Sequence, residues 1–307
     1  MSSSAPARPR AGLRRRLAAA VCFAALGAAG LALLATTASA APAPHQLVIG
    51  PTAYVAVAGS NSVSVINERT GTVAATIAVG QAPAALAVNP AGTRVYVVNS
   101  NDDTVSVINT ATSAVIATIR GFSGPEGIAA DARDVYVANV GTGTVSVIRA
   151  ATDTIIGTVP VGGYAYEVAV NPAGTRAYVS NLTLGTVSVI STARNAVIAT
   201  IPVGHQPSKM STNPSGSELY VANLVSGTVS VINASTDTVT QTIVVGNWPV
   251  AAAFGLFGSR AYVANLLDGT VSVIRPGTTP TVIATITVGA EPFDVISTFV
   301  KFESHRH

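Results

Sequence analysis

Short runs of β-branched and apolar residues recur along the chain at a nearly constant interval. The tetrapeptide VSVI occurs six times, and each copy follows a Tyr-Val pair. The VSVI copies begin at Val63, Val105, Val145, Val187, Val229 and Val271, and the pairs begin at Tyr54, Tyr96, Tyr136, Tyr178, Tyr220 and Tyr262. Successive copies are 40 or 42 residues apart, so one unit of about 42 residues is repeated six times.

Each unit predicts four short β-strands. The YVAN and TVSVI segments are rich in β-branched and aromatic residues, and an ATI-type segment and an apolar stretch after a proline follow them. Gly, Asn, Pro, Ser and Asp separate these segments, and NPAG is a turn sequence. The periodicity of an amphipathic helix does not occur after residue 40. Four strands in about 42 residues are the dimensions of a β-propeller blade.

The sequence therefore predicts an all-β fold, a β-propeller of six four-stranded blades. The first repeat begins at the second strand of a blade, at Tyr54, and the last ends with a first strand from Pro292 to about Phe302. Pairing this last strand with the first three would close the ring and remove both free edges. In a propeller, both faces of most strands pack against neighbouring blades, and small side chains allow this close packing. This burial also accounts for a charged content of only 10%.

Three other architectures fit the repeat less well. An outer-membrane barrel needs strands of about 9–11 residues, which are longer than these segments. A transmembrane bundle needs apolar runs of about 18 residues, and none follows residue 40. A β-solenoid also stacks repeats with small buried residues, but its architecture does not require a single additional strand at the end of the last repeat.

The consensus YVAN–GTVSVI–ATIxVGxxP–AVNPAGTRxYV resembles the YVTN-repeat β-propeller family, which is found in bacterial exported proteins and archaeal surface-layer proteins. The resemblance extends over essentially the whole chain after residue 40. It implies an extracytoplasmic binding or surface role but no single activity, because propellers carry unrelated functions. Members of this family often have seven blades, whereas six copies of the repeat are countable here.

The first 40 residues are predicted to be a signal peptide. An arginine-bearing segment precedes the apolar run Leu17–Leu34, and Ala38-Ser39-Ala40 supplies a small-x-small cleavage pattern. An uncleaved membrane anchor is the alternative, and Arg14-Arg15 also permits twin-arginine export. Cys22, the only cysteine, lies in the apolar run, so the remaining chain has no disulfide. The predicted organisation is a signal peptide at 1–40, a lead-in segment at 41–53 and a secreted propeller at 54–307.

The charge of the chain argues against nucleic-acid binding, the third functional hypothesis. The full chain has a formal net charge of +3, but five arginines lie within its first 16 residues. Without residues 1–40, 12 basic residues face 14 acidic ones, a net charge of −2. Binding to a phosphate backbone needs clustered Lys or Arg side chains.

Residues that break the repeat are the candidates for function. They lie in the connections between units and in the turns between second and third strands, which a propeller gathers at one end. The predicted ligand-binding rim comprises Tyr164, Tyr166, Trp248, Phe293, Leu182, Leu224, Leu266 and Lys209. A concave apolar surface with a few polar groups is typical of binding sites. Alternatively, the leucines fold over neighbouring loops and seal the ends of the blades.

Signals for catalysis and for cofactors are weak. The sequence contains no G-x-S-x-G, H-E-x-x-H or phosphate-binding loop, so no cofactor is predicted. His205, Glu126, Glu167 and Asp294 would be the catalytic groups of a lactonase- or lyase-type enzyme. The three carboxylates would alternatively hold a hard cation such as Ca²⁺.

The leading hypothesis is a secreted, non-catalytic binding or scaffold protein of the cell envelope. Its partner would be an extracytoplasmic protein, an envelope component or a small ligand. The mature protein is expected to be a monomer, with no membrane span once the signal peptide is cleaved.

Overall fold

The computed structural model describes residues 52–255 and 257–295. These residues form 23 β-strands and one short 3-10 turn, Ala58–Ser60. The strands form six antiparallel sheets, of which the first has three strands and the other five have four each. The predicted all-β architecture is confirmed, and β1 begins two residues before the predicted boundary at residue 54.

The strands follow the repeat in chain order, one sheet after another. The first sheet contains β1 (Thr52–Val57), β2 (Ser62–Asn67) and β3 (Thr72–Ala78). The second contains β4 (Pro83–Val88), β5 (Arg94–Asn99), β6 (Thr104–Asn109) and β7 (Ala114–Arg120), and the third β8 (Pro125–Ala130), β9 (Asp134–Asn139), β10 (Thr144–Arg149) and β11 (Thr154–Pro160). The fourth contains β12 (Ala165–Val170), β13 (Arg176–Asn181), β14 (Thr186–Ser191) and β15 (Ala196–Pro202), and the fifth β16 (Pro207–Thr212), β17 (Glu218–Asn223), β18 (Thr228–Asn233) and β19 (Thr238–Val244). The sixth contains β20 (Pro249–Phe254), β21 (Ala261–Asn265), β22 (Thr270–Arg275) and β23 (Thr281–Thr287).

The first strand of each four-stranded sheet lies on the inner side of the arrangement. Strands β4, β8, β12, β16 and β20 contact one another in that order, and β1 contacts β4. The sheets therefore follow one another around an axis, as the blades of a propeller do. Most of the segment predicted to close the ring lies outside the described residues, so closure stays a prediction.

A buried asparagine explains why YVAN and TVSVI occur together in the repeat. Asn181, at the end of β13, donates from Nδ2 to Thr186 Oγ1 and to Ser188 Oγ, each at 3.0 Å. Four other sheets repeat this arrangement with Asn99, Asn139, Asn223 and Asn265. The first sheet has Val57 at this place. These repeated polar residues therefore join the strands within a sheet, because each buried donor needs an acceptor.

The glycine of the VG pair gives this asparagine its space. A Cβ on Gly204 would lie 2.6 Å from Asn223 Cγ, which is far inside van der Waals contact. Gly80 and Gly246 contact Asn99 and Asn265 in the same way. In these three units the glycine is thus required by close packing of the connection against the following sheet.

The arginine of NPAGTR joins neighbouring sheets at one end of the ring. Arg94 Nη1 lies 2.5 Å from Asp153 Oδ1 and donates to the Ala150 carbonyl at 2.6 Å, which links the second sheet to the third. Arg176 forms the same ion pair with Asp237, linking the fourth sheet to the fifth. Function is therefore better sought in residues that differ between the repeats.

None of the described residues belongs to a helix long and apolar enough to cross a membrane.

Candidate functional site

The loop face is the end of the ring where second strands end and where each sheet connects to the next. Its turns run from Asn99 to Thr104 in the second sheet and at equivalent positions in the others. Its connections include the segment between β7 and β8 and the segment between β15 and β16. Most of these segments are held by side-chain caps, such as Asn61 Oδ1, which accepts the Ala82 N–H at 3.0 Å.

The leucines predicted to form a rim pack together on this face. Leu182, Leu224 and Leu266, from three successive sheets, share one cluster with Trp248. Val250, Ala251, Ala264 and Val295 complete the cluster. Leu224 is only 9% exposed, whereas Leu182, Leu266 and Trp248 are half-buried. The leucines therefore pack against one another and against Trp248, while Leu182, Leu266 and Trp248 are still partly exposed.

The exposed part of this surface comes from neighbouring residues that the rim prediction omitted. Leu184, Val225 and Leu267 are 56%, 55% and 61% exposed, and they lie in the same three turns. We define the apolar patch as these three residues with Leu182, Trp248 and Leu266. The two consecutive leucines at 266 and 267 were the signal, because only one of two adjacent side chains in a tight turn can point inward.

A second group of side chains lies at the start of the inner strands. Glu167 is the third residue of β12, Lys209 is the third residue of β16, and Asp294 follows Pro292 at the same spacing. The other inner strands have Ala85, Gly127 and Ala251 at this position. We define the axial cluster as Tyr166, Glu167, Lys209, Phe293 and Asp294.

Lys209 holds the axial cluster together. Its Nζ lies 2.5 Å from Asp294 Oδ2 and 5.7 Å from the centroid of the Phe293 ring. The Lys209 and Asp294 side chains are 19% and 17% exposed, so their attraction is only partly screened by water. The ion pair therefore joins the inner strand β16 of the fifth sheet to the segment 292–295, which follows the last strand of the sixth sheet.

Burial shifts the protonation of this cluster. Removal from water raises the pKa of Glu167 to about 7, against an opposing effect from the Lys209 ammonium and the Val168 N–H, which donates to Glu167 Oε1 at 3.0 Å. Burial by itself would lower the pKa of Lys209, but the Asp294 and Glu167 carboxylates outweigh it, and the pKa is raised. Burial also raises the pKa of the Tyr166 hydroxyl.

Glu167 is fixed against the neighbouring inner strand. A Cβ at Gly127 would lie 2.6 Å from Glu167 Cα and 2.6 Å from the Tyr166 carbonyl oxygen. Since both atoms belong to the backbone, no side-chain movement would relieve such a contact. The glycine in β8 therefore allows the carboxyl-bearing strand β12 to approach closely.

We expect Glu167 to make the protein less stable as the pH rises from about 4.5 to 7. The folded-state pKa lies above the unfolded value, so folding takes up a proton in this range and stability is highest below it. Glu167→Gln should remove this dependence and add up to about 3 kcal/mol to the free energy of unfolding at pH 8. Urea denaturation at pH 5 and pH 8 measures it, with Glu291→Gln as an exposed control. Equal pH dependence in wild type and Glu167→Gln would contradict the assignment.

Of the remaining predicted residues, His205 and Tyr164 lie in connections between sheets, and Glu126 lies in an inner strand. His205 is exposed in the connection between β15 and β16, where its backbone N–H donates to Ser226 Oγ at 2.8 Å. Tyr164 is half-buried, and its N–H donates to Thr183 Oγ1. Glu126 is the second residue of β8 and affects the pKa of Tyr166 through its charge.

The alternative interpretation of Glu126, Glu167 and Asp294 as cation ligands has no support in the geometry of the described residues. Within residues 52–255 and 257–295, no three His, Cys, Asp or Glu side chains meet at a spacing that would hold a metal. Instead, the Asp294 carboxylate pairs with Lys209. Glu126, Glu167 and Asp294 therefore do not act together as ligands in this arrangement.

Comparisons with known proteins bear on the fold. No family model and no curated protein sequence matches the chain. Among solved structures, it is similar to Kuenenia stuttgartiensis hydrazine synthase, at 20% identity and a TM-score of 0.71, over 87% of this chain and 93% of that one. It is also similar to a functionally unknown protein from Desulfotomaculum acetoxidans, at 17% identity and a TM-score of 0.70, over 79% of this chain and 83% of that one.

A third similar structure is the dihydro-heme d1 dehydrogenase NirN, at 16% identity and a TM-score of 0.62, over 77% of this chain and 54% of that one. All three identities are too low to carry activity across. Together with the six sheets, these similarities show that the chain has a β-propeller fold.

Proposed function

We propose that this protein is an exported, non-catalytic binding module of the YVTN-repeat type, and that it binds its partner through the apolar patch on the loop face. The observation that carries the proposal is the exposure of Leu184, Val225 and Leu267, which lie in the same three turns as the clustered residues Leu182, Leu224 and Leu266. Contiguous exposed apolar surface commonly marks an interaction site. Export rests on the sequence of the first 40 residues, which lie outside the described residues.

The turns do not need these apolar side chains to fold. The residues equivalent to Val225 and Leu267 are Gly59, Asn101 and Gly141 in the first three sheets. The backbone of the turn is therefore built equally well with small or polar residues there. Apolar side chains that the fold does not require, confined to three adjacent sheets, favour a partner on this side of the ring.

An enzyme of the lactonase or lyase kind is the second candidate, and one observation favours it. A carboxyl with a pKa of about 7 suits general acid–base work, and Glu167 lies in a partly enclosed, polar setting beside Tyr166. Two structural neighbours also have enzyme names. Against it, His205 is exposed in a connection outside the axial cluster, and Asp294 is paired with Lys209. Nucleic-acid binding ranks third, because the loop face has seven acidic side chains and only two basic ones among the described residues, and an anionic phosphate backbone would be repelled there.

The test is a binding comparison between two triple variants. Leu184→Ser, Val225→Ser and Leu267→Ser together should reduce retention of envelope and secreted proteins of the source cells by about tenfold or more. Each exposed apolar side chain contributes a fraction of the binding free energy, and the three contributions act together. Immobilised protein and quantitative mass spectrometry measure the retained proteins.

The matched control places the same substitutions on outer strands away from the loop face. Val73, Ile116 and Ile198 are 59%, 47% and 43% exposed. Val73→Ser, Ile116→Ser and Ile198→Ser should retain the same proteins as wild type. If the loop variant retains them as well, the loop face is not the binding site. Hydrolysis of a lactone by wild type but not by Glu167→Gln would replace the binding function with the enzyme.

A further inference from the structure

Charge is unequally divided between the two ends of the ring. Within the described residues, the loop face has seven acidic side chains, Asp102, Asp103, Glu126, Glu167, Asp268, Glu291 and Asp294, against Arg120 and Lys209. The opposite end has eight arginines, Arg69, Arg94, Arg133, Arg149, Arg176, Arg194, Arg260 and Arg275, against Glu68, Asp131, Asp134, Asp153, Glu218 and Asp237. The end with the apolar patch is therefore clearly acidic, and the other end is weakly basic.

At two of these positions, Asp102 and Asp268, the turn can be built without the negative charge. Asp102 Oδ2 accepts the Gln81 N–H at 2.6 Å, and Asp268 Oδ2 accepts the Asn247 N–H at 2.7 Å. In the fifth sheet, Ser226 Oγ makes the same contact with the His205 N–H at 2.8 Å. A neutral hydroxyl thus caps this connection, and the carboxylates add a charge that the cap itself does not need.

The added charge is present at neutral pH and accessible to a partner. Hydrogen bonds from the Asn247 backbone and side chain lower the pKa of Asp268, which is exposed beside Leu267. Asp103 and Glu291 are exposed as well. The patch thus has the Asp268 carboxylate directly beside Leu267, and Asp102 and Asp103 lie on the same face in the second sheet.

We propose, building on the binding function above, that the partner is a basic polypeptide segment, in which lysine or arginine residues flank a large apolar side chain. The apolar side chain would contact Leu184, Val225 and Leu267, and the cationic groups would face Asp268 and the other carboxylates of the loop face. Opposite charges across an interface speed association and select partners, whereas an anionic nucleic acid or lipid surface is repelled. The apolar patch therefore favours the partner's large apolar side chain, and the carboxylates favour its basic residues.

The probes are three labelled peptides of equal length. The first alternates lysine with leucine, the second replaces its lysines with serine, and the third replaces its lysines with glutamate. Wild type should bind the lysine peptide at least about tenfold more tightly than the other two at low salt. Raising the salt concentration should reduce that advantage, since exposed charges are screened beyond about 10 Å at 0.1 M salt. Fluorescence anisotropy measures all three affinities.

The decisive variant is Asp102→Ser with Asp268→Ser, which keeps the cap in the form that Ser226 provides. It should weaken binding of the lysine peptide by about tenfold and leave the serine peptide unchanged. Glu68→Ser with Glu218→Ser removes the same charge at the opposite end and should change neither affinity by more than about twofold.

Two failures are distinguishable. If wild type binds the serine peptide as tightly as the lysine peptide, and the Asp variant behaves as wild type, the basic partner is refuted while the binding face stands. If Leu184→Ser, Val225→Ser and Leu267→Ser together leave every peptide bound as before, the binding face itself is refuted. Equal or tighter binding of the glutamate peptide also overturns the proposal.

Discussion

Lys209→Met is expected to lower the free energy of unfolding by about 3 kcal/mol. The substitution removes the ammonium that lies 2.5 Å from Asp294 and leaves that carboxylate and Glu167 together in a poorly solvated region. Removing one partner of a buried ion pair costs about 3–5 kcal/mol, because the remaining charge has lost its counterion. The side chains are 19% and 17% exposed, which places the expected loss at the lower end of this range. Urea denaturation at pH 7 measures it.

A double-variant cycle separates loss of the ion pair from loss of packing. Asp294→Asn combined with Lys209→Met removes both charges and should be more stable than the sum of the two single losses predicts. Lys209→Arg keeps the charge and serves as the control for the long side chain. If the two single losses add without coupling, the contribution of Lys209 to stability does not come from its ion pair with Asp294.

The architecture was largely predictable from the sequence because each unit specifies itself locally. The Tyr-Val and VSVI segments set the strands, and the asparagine, glycine and arginine of the repeat form contacts within one sheet or between neighbouring sheets. The phase of the repeat was informative too, since the first sheet does begin with a second strand and has only three strands. The asparagine contacts are short in sequence and recur in five of the six sheets, and the arginine contacts join neighbouring sheets in two places.

The sequence identified the charged members of the axial cluster, but it did not predict how they are arranged. Glu167, Lys209 and Asp294 stand out because small residues occupy their position in other units. That Lys209 pairs with Asp294, 85 residues away, depends on how the chain brings the two side chains together, which no spacing reveals. In the same way, turn geometry decides that Leu266 points inward while Leu267 is 61% exposed.

The sixth sheet shows where the ring is incomplete within the described residues. Ile286 in β23 is 48% exposed, whereas its counterparts in the other five sheets, Ile77, Ile119, Val159, Ile201 and Ile243, are 2–8% exposed. Val288, two residues later, is 53% exposed. In the other sheets this face is buried, so closure of the ring should cover the same face here. Removing this apolar surface from water would favour closure.

Ile286→Ala therefore tests closure without altering the segment that is predicted to make it. In a closed ring Ile286 would be buried like Ile243, and the substitution should cost about 2–5 kcal/mol, as it does in protein cores. Ile243→Ala provides the buried reference, and Ile283→Ala, on the same strand and 42% exposed, provides the exposed one. Chemical denaturation of the three variants ranks them. If Ile286→Ala and Ile283→Ala lower the free energy of unfolding equally, the ring stays open at this sheet. The reason is that an apolar side chain contributes as much as a core residue only where a neighbour excludes water from it.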